Sequence, residues 1–368
     1  MVFRQKAKLN KKKKVAFVII MLWLLSVVPS DEKEDWFIKV TEQMIPVLTY
    51  EKQYGNPSVD YAANYQVPDW FYEDETEIMS DTESVTENKK QEEPEKTERV
   101  TAPADDVSGT VYTREQLEQR DFLLSHIFAV DGNTSMTEEE TNLQNLLDVD
   151  LSIDGKDAKD YKILIYYTHG SESFADSREG VKEDTVIGIG SYLAEILEND
   201  YGIPVYHDET LYDVIDGQLD RSKAYENAYH NVTKILEENP SIEVVIDLHR
   251  DGVAEDTHLV TEINGKPTAK IMFLNGVSRS NKNGDIDYLY NPNKQSNLAF
   301  SFQMYLEGLE HYGDYVRKIF VRSYRYNLHL LPRTTLIEAG AQTNTVEEEK
   351  NAMEPLAAIL YKVLSKPE

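Results

Sequence analysis

The chain has 368 residues, and its 66 acidic and 38 basic side chains give a formal net charge of -28. A charge this negative argues against nucleic-acid binding, because phosphates are neutralised by clustered Lys and Arg. The chain has no cysteine, which excludes disulfide bonds, thiolate nucleophiles, Cys-ligated zinc and iron–sulfur clusters.

Residues 1–30 predict a membrane anchor. They contain seven Lys and Arg and no acidic residue, and the run from Val15 to Val28 is apolar apart from Ser26. A basic segment before a short apolar core is typical of secretory signals and signal anchors. Such a helix measures ~21 Å against a ~30 Å hydrocarbon core, and lysine side chains can extend past its edge. No small-x-small cleavage site follows. We therefore expect a retained single-pass anchor in the cell membrane, with the rest of the chain extracytoplasmic.

Residues 31–155 predict an acidic, largely disordered spacer. Over 31–160 there are 33 acidic and 11 basic residues, and the stretch 73–99 has almost no large apolar side chain. A segment of this composition cannot bury a core. We expect one short helix within 112–128, and a self-repelling tether that holds the following domain away from its membrane.

Residues 156–368 predict a folded domain. Short apolar runs alternate with helical patterns, which indicates an α/β fold with three layers and a mainly parallel sheet. The predicted strands cover 161–169, 203–208, 242–249, 269–276, 316–324 and 333–340, and the predicted helices cover 184–202, 222–240, 297–311 and 346–364.

Three of these strands end in residues that can carry out chemistry. The first leads into His169, with Glu172 three residues later. Another leads into His249 and Arg250, and the last leads into Glu338. Ligands of open α/β sheets bind at the carboxyl ends of the strands. We therefore expect these side chains to lie close together in the fold.

Two histidines and a glutamate, with a second glutamate nearby, predict a catalytic zinc site. Zinc takes two imidazoles and one carboxylate and leaves its fourth position to water, whose pKa falls to near 7. A free carboxylate can then remove the proton of that water. We assign His169, Glu172 and His249 as ligands and Glu338 as general base. Glu183 is a rival third ligand, although an acid in the first turn of a helix explains it more simply.

Other polar residues near the strand ends have candidate roles in the same site. The planar guanidinium of Arg250 suits either polarisation of a substrate carbonyl or binding of a substrate carboxylate. Asp247 or Asp251 can orient a ligand histidine. His207 and His329 are weaker candidates for the cleft, and a turn or a packed loop explains them equally well or better.

The domain resembles the stage II sporulation protein P family, which acts on the cell wall during engulfment in endospore-forming bacteria. The matching stretches run in order through residues 161–368: YYTHGSESF, YGIPVYHDETLYD, VVIDLHRDG, INGKPTAKIMFLNG, RYNLHLLP and LIEAGAQTNTVEEEKNAMEPLA. The resemblance implies a zinc-dependent N-acetylmuramoyl-L-alanine amidase fold, with a DD-endopeptidase activity in addition. It implies peptidoglycan as substrate, and the stage II sporulation proteins D and M as partners.

The resemblance carries site roles onto His169, His249 and Glu338. It carries the third ligand onto Glu172, although the wider amidases often place this glutamate later, nearer Glu183. The sequence also departs from the family pattern at two positions. Tyr167 replaces the first histidine of a common His-Thr-His form, and Tyr212 stands where many relatives have histidine. These departures concern the substrate side of the site rather than the metal pair.

The interpretation that follows is a membrane-tethered peptidoglycan hydrolase that cleaves the amide between N-acetylmuramic acid and L-alanine. A zinc carboxypeptidase is an alternative, because it has the same order of H-x-x-E, a later His and a late Glu, and Arg250 could bind the terminal carboxylate. A second alternative is a catalytically silent wall-binding module, in which replacing His169 or Glu338 would leave the biological effect intact.

Overall fold

The computed structural model describes residues 109–155, 158–215 and 217–365. The predicted anchor and the predicted spacer up to residue 108 lie outside these ranges. Within them, no helix combines the length and the apolarity needed to cross a membrane. The helices are α1 Arg114–Leu117, α2 Arg120–Phe122, α3 Leu143–Leu147, α4 Val186–Asn199, α5 Ala224–Glu238, α6 Lys294–Tyr312 and α7 Val346–Leu364, with a π-helical turn at Leu123–Ile127.

The strands fall into one central sheet and three small hairpins. The sheet strands are β1 Phe128–Val130, β2 Ile163–Tyr166, β3 Val205–His207, β6 Val244–Asp251, β9 Ile271–Gly276, β12 Ile319–Arg322 and β13 Thr334–Ala341. The hairpins pair β4 Val214–Ile215 with β5 Gln218–Leu219, β7 Val260–Ile263 with β8 Lys266–Ala269, and β10 Arg279–Ser280 with β11 Gly284–Asp285.

The central sheet has seven strands in the order β1-β12-β9-β13-β6-β2-β3. The β13–β9 pairing is antiparallel, and the other five pairings in this sheet are parallel. The mainly parallel sheet predicted from the strand–helix alternation is therefore confirmed.

Side chains that alternate along the strands cover both faces of the sheet. Ile163 and Ile246 belong to a large buried cluster with apolar residues of α4, α6 and α7. Leu164 and Val245, one residue away on the same strands, pack instead against α5. Because successive side chains of a strand point to opposite faces, helices on both sides are needed to bury them. This arrangement confirms the three layers predicted from the sequence.

The folded domain begins earlier than the predicted boundary at residue 156. Phe128 of β1 lies opposite Ile319 in a parallel pairing with β12, and its ring stacks on Phe302 with 6.2 Å between centroids. Leu146 of α3 is fully buried. Residues 109–155 therefore form part of the domain and not of the predicted spacer. Where one short helix was expected within 112–128, the structure has the short helices α1 and α2 followed by a π-helical turn.

A buried carboxyl group lies in the first turn of α7. Glu349 is fully buried, and within the described residues neither of its carboxyl oxygens has a hydrogen-bond partner. It faces Gly340 of β13, which has a positive φ of 53° and where any Cβ would collide with the Glu349 carboxyl. Burial raises the pKa of Glu349 well above 4.5, and the neighbouring charge of Glu348 raises it further.

We expect the Glu349→Gln variant to lose a pH dependence of stability. Because the pKa of Glu349 is higher in the folded than in the unfolded state, the folded chain retains a proton that the unfolded chain releases above about pH 4.5. The contribution of Glu349 to the free energy of unfolding is therefore complete below about pH 4.5 and decreases as the pH rises. Melting temperatures between pH 5 and 9 should decline less steeply in Glu349→Gln than in the wild type. The exposed neighbour serves as control, and Glu347→Gln should follow the wild type. Parallel curves for all three proteins would contradict the prediction.

Candidate active site

His249 and Glu338 lie directly opposite each other on two neighbouring strands. They are partners in the parallel register of β6 and β13. Their neighbours Leu248 and Ile337 belong to the large cluster on the other face of the sheet, so both functional side chains project from the α5 face. Adjacent strands are ~4.8 Å apart, which holds the two side chains close together. The expected convergence of these strand ends is confirmed.

His169 and Glu172 reach the same place from the loop after β2. The backbone N–H of Glu172 donates to the carbonyl of His169 at 3.1 Å, which closes a turn. The rings of His169 and His249 are 5.2 Å apart at 83°, and Glu172 Oε2 lies 3.7 Å from His249 Nδ1. All three side chains are buried. The structure thus brings the three predicted ligands together, and the roles assigned to them stay predictions.

Two buried aspartates hold this loop from either side. Asp247 accepts hydrogen bonds from the backbone N–H of Thr168 at 2.8 Å and from its hydroxyl at 2.6 Å. Asp213 accepts from the backbone N–H and the hydroxyl of Ser171 at 3.2 and 2.5 Å. Both aspartates are fully buried. Sequence reasoning did not assign Asp213, and its one signal is an acidic residue inside the mostly apolar stretch LYDVI.

Asp247 also lies beside His249. Its Oδ1 lies 2.9 Å from His249 Nε2, which leaves Nδ1 on the side of Glu172. Burial alone would lower the pKa of His249, but the charges of Asp247, Glu172 and Glu338 raise it to about 10. The surroundings of this ring therefore favour a positive charge. Asp251, the other candidate for this role, pairs instead with Arg317 at 2.7 Å.

His169 has the opposite electrostatic environment. Burial lowers its pKa well below 6.5, and the positive charges of His249 and Arg221 lower it further. An imidazole in this environment is neutral at physiological pH, which is the form that binds metals. In the part of the chain that the structure describes, neither of its ring nitrogens has a hydrogen-bond partner.

Glu172 lies between two arginines. Its Oε2 accepts a hydrogen bond from the backbone N–H of Arg250 at 3.1 Å, and its Oε1 is 3.8 Å from Arg221 Nη2. Burial raises the pKa of Glu172, although the charges of His249 and the two arginines oppose this shift. Arg250, predicted from the sequence, lines the cleft. Arg221 comes from the turn before α5, where no strand end marks it, and sequence reasoning missed it.

These residues form one end of a cleft with a volume of about 340 Å³. The rest of the cleft has mainly apolar and aromatic walls, with one further arginine and a few small or polar residues. It is lined by Phe174, Tyr225, Met272, Leu274, Phe320, Arg322, Tyr326 and Leu336, and also by Ser173, Asp251, Gly252 and Gln342.

The weaker candidates from the sequence lie elsewhere. Glu183 is exposed in the turn that precedes α4 and does not line the cleft, so the structure favours Glu172 over it. His207 Nε2 is 2.5 Å from the hydroxyl of Tyr167. His329 stacks on Tyr229 with 5.2 Å between centroids. Neither histidine faces the cleft.

The donor types in the cleft suit a zinc ion. Two imidazoles and a carboxylate match its preferred ligands, and the two ring nitrogens of His169 lack protein partners among the described residues. Within those residues, however, no group of three or more His, Cys, Asp or Glu side chains stands in a ready-made metal geometry. An ion would therefore have to draw these side chains closer together.

A family model described as "Stage II sporulation protein P (SpoIIP)" matches residues 39–361. The chain belongs to this family. The resemblance seen in the sequence motifs is thereby confirmed, and membership supports a peptidoglycan hydrolase of sporulation. No curated protein sequence matches the chain significantly.

The chain is also similar to solved structures of amidases. N-acetylmuramoyl-L-alanine amidase AmiC2 of Nostoc punctiforme has 16% sequence identity and a TM-score of 0.33, over 55% of this chain and 96% of its own. The CwlD amidase from Clostridioides difficile, solved in complex with the GerS lipoprotein, has 18% identity and a TM-score of 0.33, over 54% and 94%. Ami1 from Mycobacterium smegmatis has 13% identity and a TM-score of 0.32, over 56% and 96%.

Proposed function

We propose that the chain is a membrane-tethered, zinc-dependent hydrolase that cleaves the amide between N-acetylmuramic acid and L-alanine in peptidoglycan. The observation that carries the proposal is the register pairing of His249 with Glu338 at the end of a cleft that also contains His169 and Glu172. Membership of the sporulation family supports the substrate class. The resemblance extends the proposal to a DD-endopeptidase activity.

His169, Glu172 and His249 would hold the zinc ion. Bound there, zinc would supply Lewis acidity and lower the pKa of a water molecule to near 7. The neutral ring of His169 and the negative surroundings of His249 both favour a cation in this position. Asp247 would keep His249 Nδ1 directed toward the ion by facing its Nε2.

Glu338 would act as the general base and then as the general acid. Its carboxylate accepts the proton of the attacking water and donates it to the leaving amine of L-alanine. Arg250 lines the same end of the cleft, and its buried Nε has no hydrogen-bond partner among the described residues. Arg250 would bind an oxygen of the substrate next to the scissile amide.

The proposals for the cellular location and for the protein partners rest on the sequence alone. The basic and apolar N-terminus would anchor the chain in the cell membrane, and the acidic segment would let the domain reach the wall outside it. Stage II sporulation proteins D and M are proposed partners on the basis of the family resemblance.

The decisive experiment is digestion of purified sacculi by the detergent-solubilised full chain, with products identified by mass spectrometry. We expect free stem peptides and bare glycan, lost when a chelator is added and restored by zinc. Release of single C-terminal residues would favour the carboxypeptidase instead. Intact sacculi together with no bound zinc would contradict the metal site.

We expect Asp247→Asn to weaken zinc binding about 10- to 100-fold, because the amide no longer fixes the orientation and charge of the His249 ring. Competition with a chromophoric chelator measures this affinity. Asp251→Asn is the matched control on the same strand, since Asp251 pairs with Arg317 rather than with a histidine. Equal affinities for the wild type and Asp247→Asn would contradict the assignment.

A further inference from the structure

The cleft continues beyond the candidate catalytic residues, and there it contains a third arginine in addition to Arg221 and Arg250. Arg322 lies at the end of β12 and lines the cleft. Its neighbour Phe320 is opposite Leu274 of β9, and Leu274 is opposite Leu336 of β13. These three residues pack in one cluster on the α5 face. Arg322, two residues from Phe320, therefore projects from the same face as Glu338.

The sheet register gives the distance between the two ends. Arg322 is opposite Gly276 of β9, and Glu338 is opposite Met272 of the same strand. Four residues along a strand span roughly 13 Å, and two steps across the sheet span roughly 10 Å. The backbone positions of Arg322 and Glu338 are thus about 16 Å apart on this geometry.

An unbroken row of rings connects the two ends along one side of the cleft. The rings of His169 and Tyr225 are 5.6 Å apart, and those of Tyr225 and Tyr326 are 5.7 Å apart. The guanidinium carbon of Arg322 lies 5.9 Å from the centre of the Tyr326 ring. The apolar side chains of Met272, Leu274 and Leu336 also line the cleft. The cleft therefore extends along the sheet, with Glu338 and the proposed metal ligands toward one end and Arg322 toward the other.

The backbone that presents Tyr326 is strained. Tyr326 and Asn327 have φ values of 48° and 56°, a conformation that residues other than glycine rarely adopt. The Asn327 amide donates to the carbonyl of Tyr225 at 2.9 Å, which ties this loop to the start of α5. Strain of this kind persists where the surroundings enforce it, and it is common at ligand-binding sites.

The charge of Arg322 indicates what the groove binds. Its guanidinium lies near the rings of Phe320 and Tyr326 and 3.8 Å from Asp131. A guanidinium placed over aromatic rings is oriented in advance for a carboxylate, which it can bind through two parallel hydrogen bonds. At ~3.4 Å per residue, 16 Å corresponds to roughly four to five residues of extended peptide.

We propose that Arg322 and the row formed by Tyr225 and Tyr326 are a peptide subsite, in which Arg322 binds a carboxylate four to five residues from the scissile amide. This inference rests on the proposed function for the identity of the peptide, which is the acidic stem peptide on the leaving side of that amide. The neutral glycan offers no charge that would match Arg322.

The test uses the zinc-loaded full chain in detergent and two substrates, an N-acetylmuramoyl dipeptide and an N-acetylmuramoyl pentapeptide. Arg322→Gln should lower kcat/KM on the pentapeptide at least about tenfold, mainly through KM, as expected for loss of a charged hydrogen bond. It should leave the dipeptide unaffected, because that substrate does not reach Arg322. Arg114→Gln, on the exposed helix α1, is the control and should match the wild type on both. An equal loss on both substrates, or no loss on either, would overturn the subsite.

A binding measurement separates this proposal from the proposed function. Binding of the free pentapeptide is measured by calorimetric titration, which does not depend on hydrolysis. The pentapeptide should bind the wild type at least about tenfold more tightly than it binds Arg322→Gln. Amidation of the C-terminal carboxylate of the peptide should make the two affinities equal. If the free pentapeptide binds in this way but the wild type does not hydrolyse the N-acetylmuramoyl pentapeptide, the result would contradict the proposed amidase and support the subsite. If the wild type hydrolyses the N-acetylmuramoyl pentapeptide but the wild type and Arg322→Gln bind the free pentapeptide equally, the result would support the amidase and contradict the subsite.

Discussion

Replacing Glu338 by glutamine is expected to abolish hydrolysis while zinc remains bound. Glutamine has nearly the same shape as glutamate but cannot accept the proton of the attacking water. The loss of a general base costs typically 10²- to 10⁴-fold in rate, and we expect kcat to fall by roughly 10³-fold. Release of stem peptides from sacculi measures the rate, and metal analysis of the purified variant measures the zinc content.

The matched comparison is Glu172→Gln, which changes the neighbouring glutamate in the same way. Because Glu172 is the proposed ligand, this variant should lose both zinc and activity. A Glu338→Gln enzyme that keeps more than about a tenth of the wild-type rate would contradict its role as base. Loss of zinc in Glu338→Gln would show instead that Glu338 is a ligand.

The second large effect is expected for His169→Ala, which should lose both zinc and hydrolysis. His169 is buried, its ring is neutral, and the described part of the chain supplies no hydrogen-bond partner for either nitrogen. Loss of a residue that hydrogen-bonds to a metal ligand lowers metal affinity by up to roughly 100-fold. Because His169→Ala removes the proposed ligand itself, we expect a larger fall in zinc affinity. Equilibrium competition with a chelator and the sacculus assay measure the two losses.

His230→Ala is the control for this prediction, because His230 is exposed on α5, away from the cleft. Its zinc content and rate should equal those of the wild type. A His169→Ala protein that binds one zinc with unchanged affinity would contradict the proposed ligand set. Circular dichroism of both variants would establish that neither change unfolds the domain.

The fold was predictable where the local signals were long and mutually consistent. Helix α7 was predicted at 346–364 and is found there, since its apolar spacing begins directly after Thr345, whose hydroxyl caps the helix together with Glu348. The strand ends that carry His249 and Glu338 were found for a similar reason. Each follows a short, mostly apolar run, VVIDL or TTLI, which is typical of strands buried on both faces.

The features that could not be predicted from the sequence depend on contacts between distant parts of the chain. Strand β1 has three residues and lies in a segment whose acidic average conceals it. Nothing local indicates that β9 runs antiparallel to β13, or that His249 and Glu338 share one register position. Arg221 and Tyr225 reach the cleft from a turn and a helix start, where a polar or aromatic residue has no distinctive local signal.

The candidate site combines residues of sheet strands with residues of a loop. His249 and Glu338 belong to adjacent central strands whose ladder must break before the two can separate, so their amide protons should be among the slowest to exchange with solvent. His169 and Glu172 lie instead on a loop that is held by two hydrogen bonds to Asp247 and two to Asp213. One half of the site is thus held by the sheet ladder and the other half by side-chain hydrogen bonds, so we expect the loop to adjust first when an ion or a substrate binds.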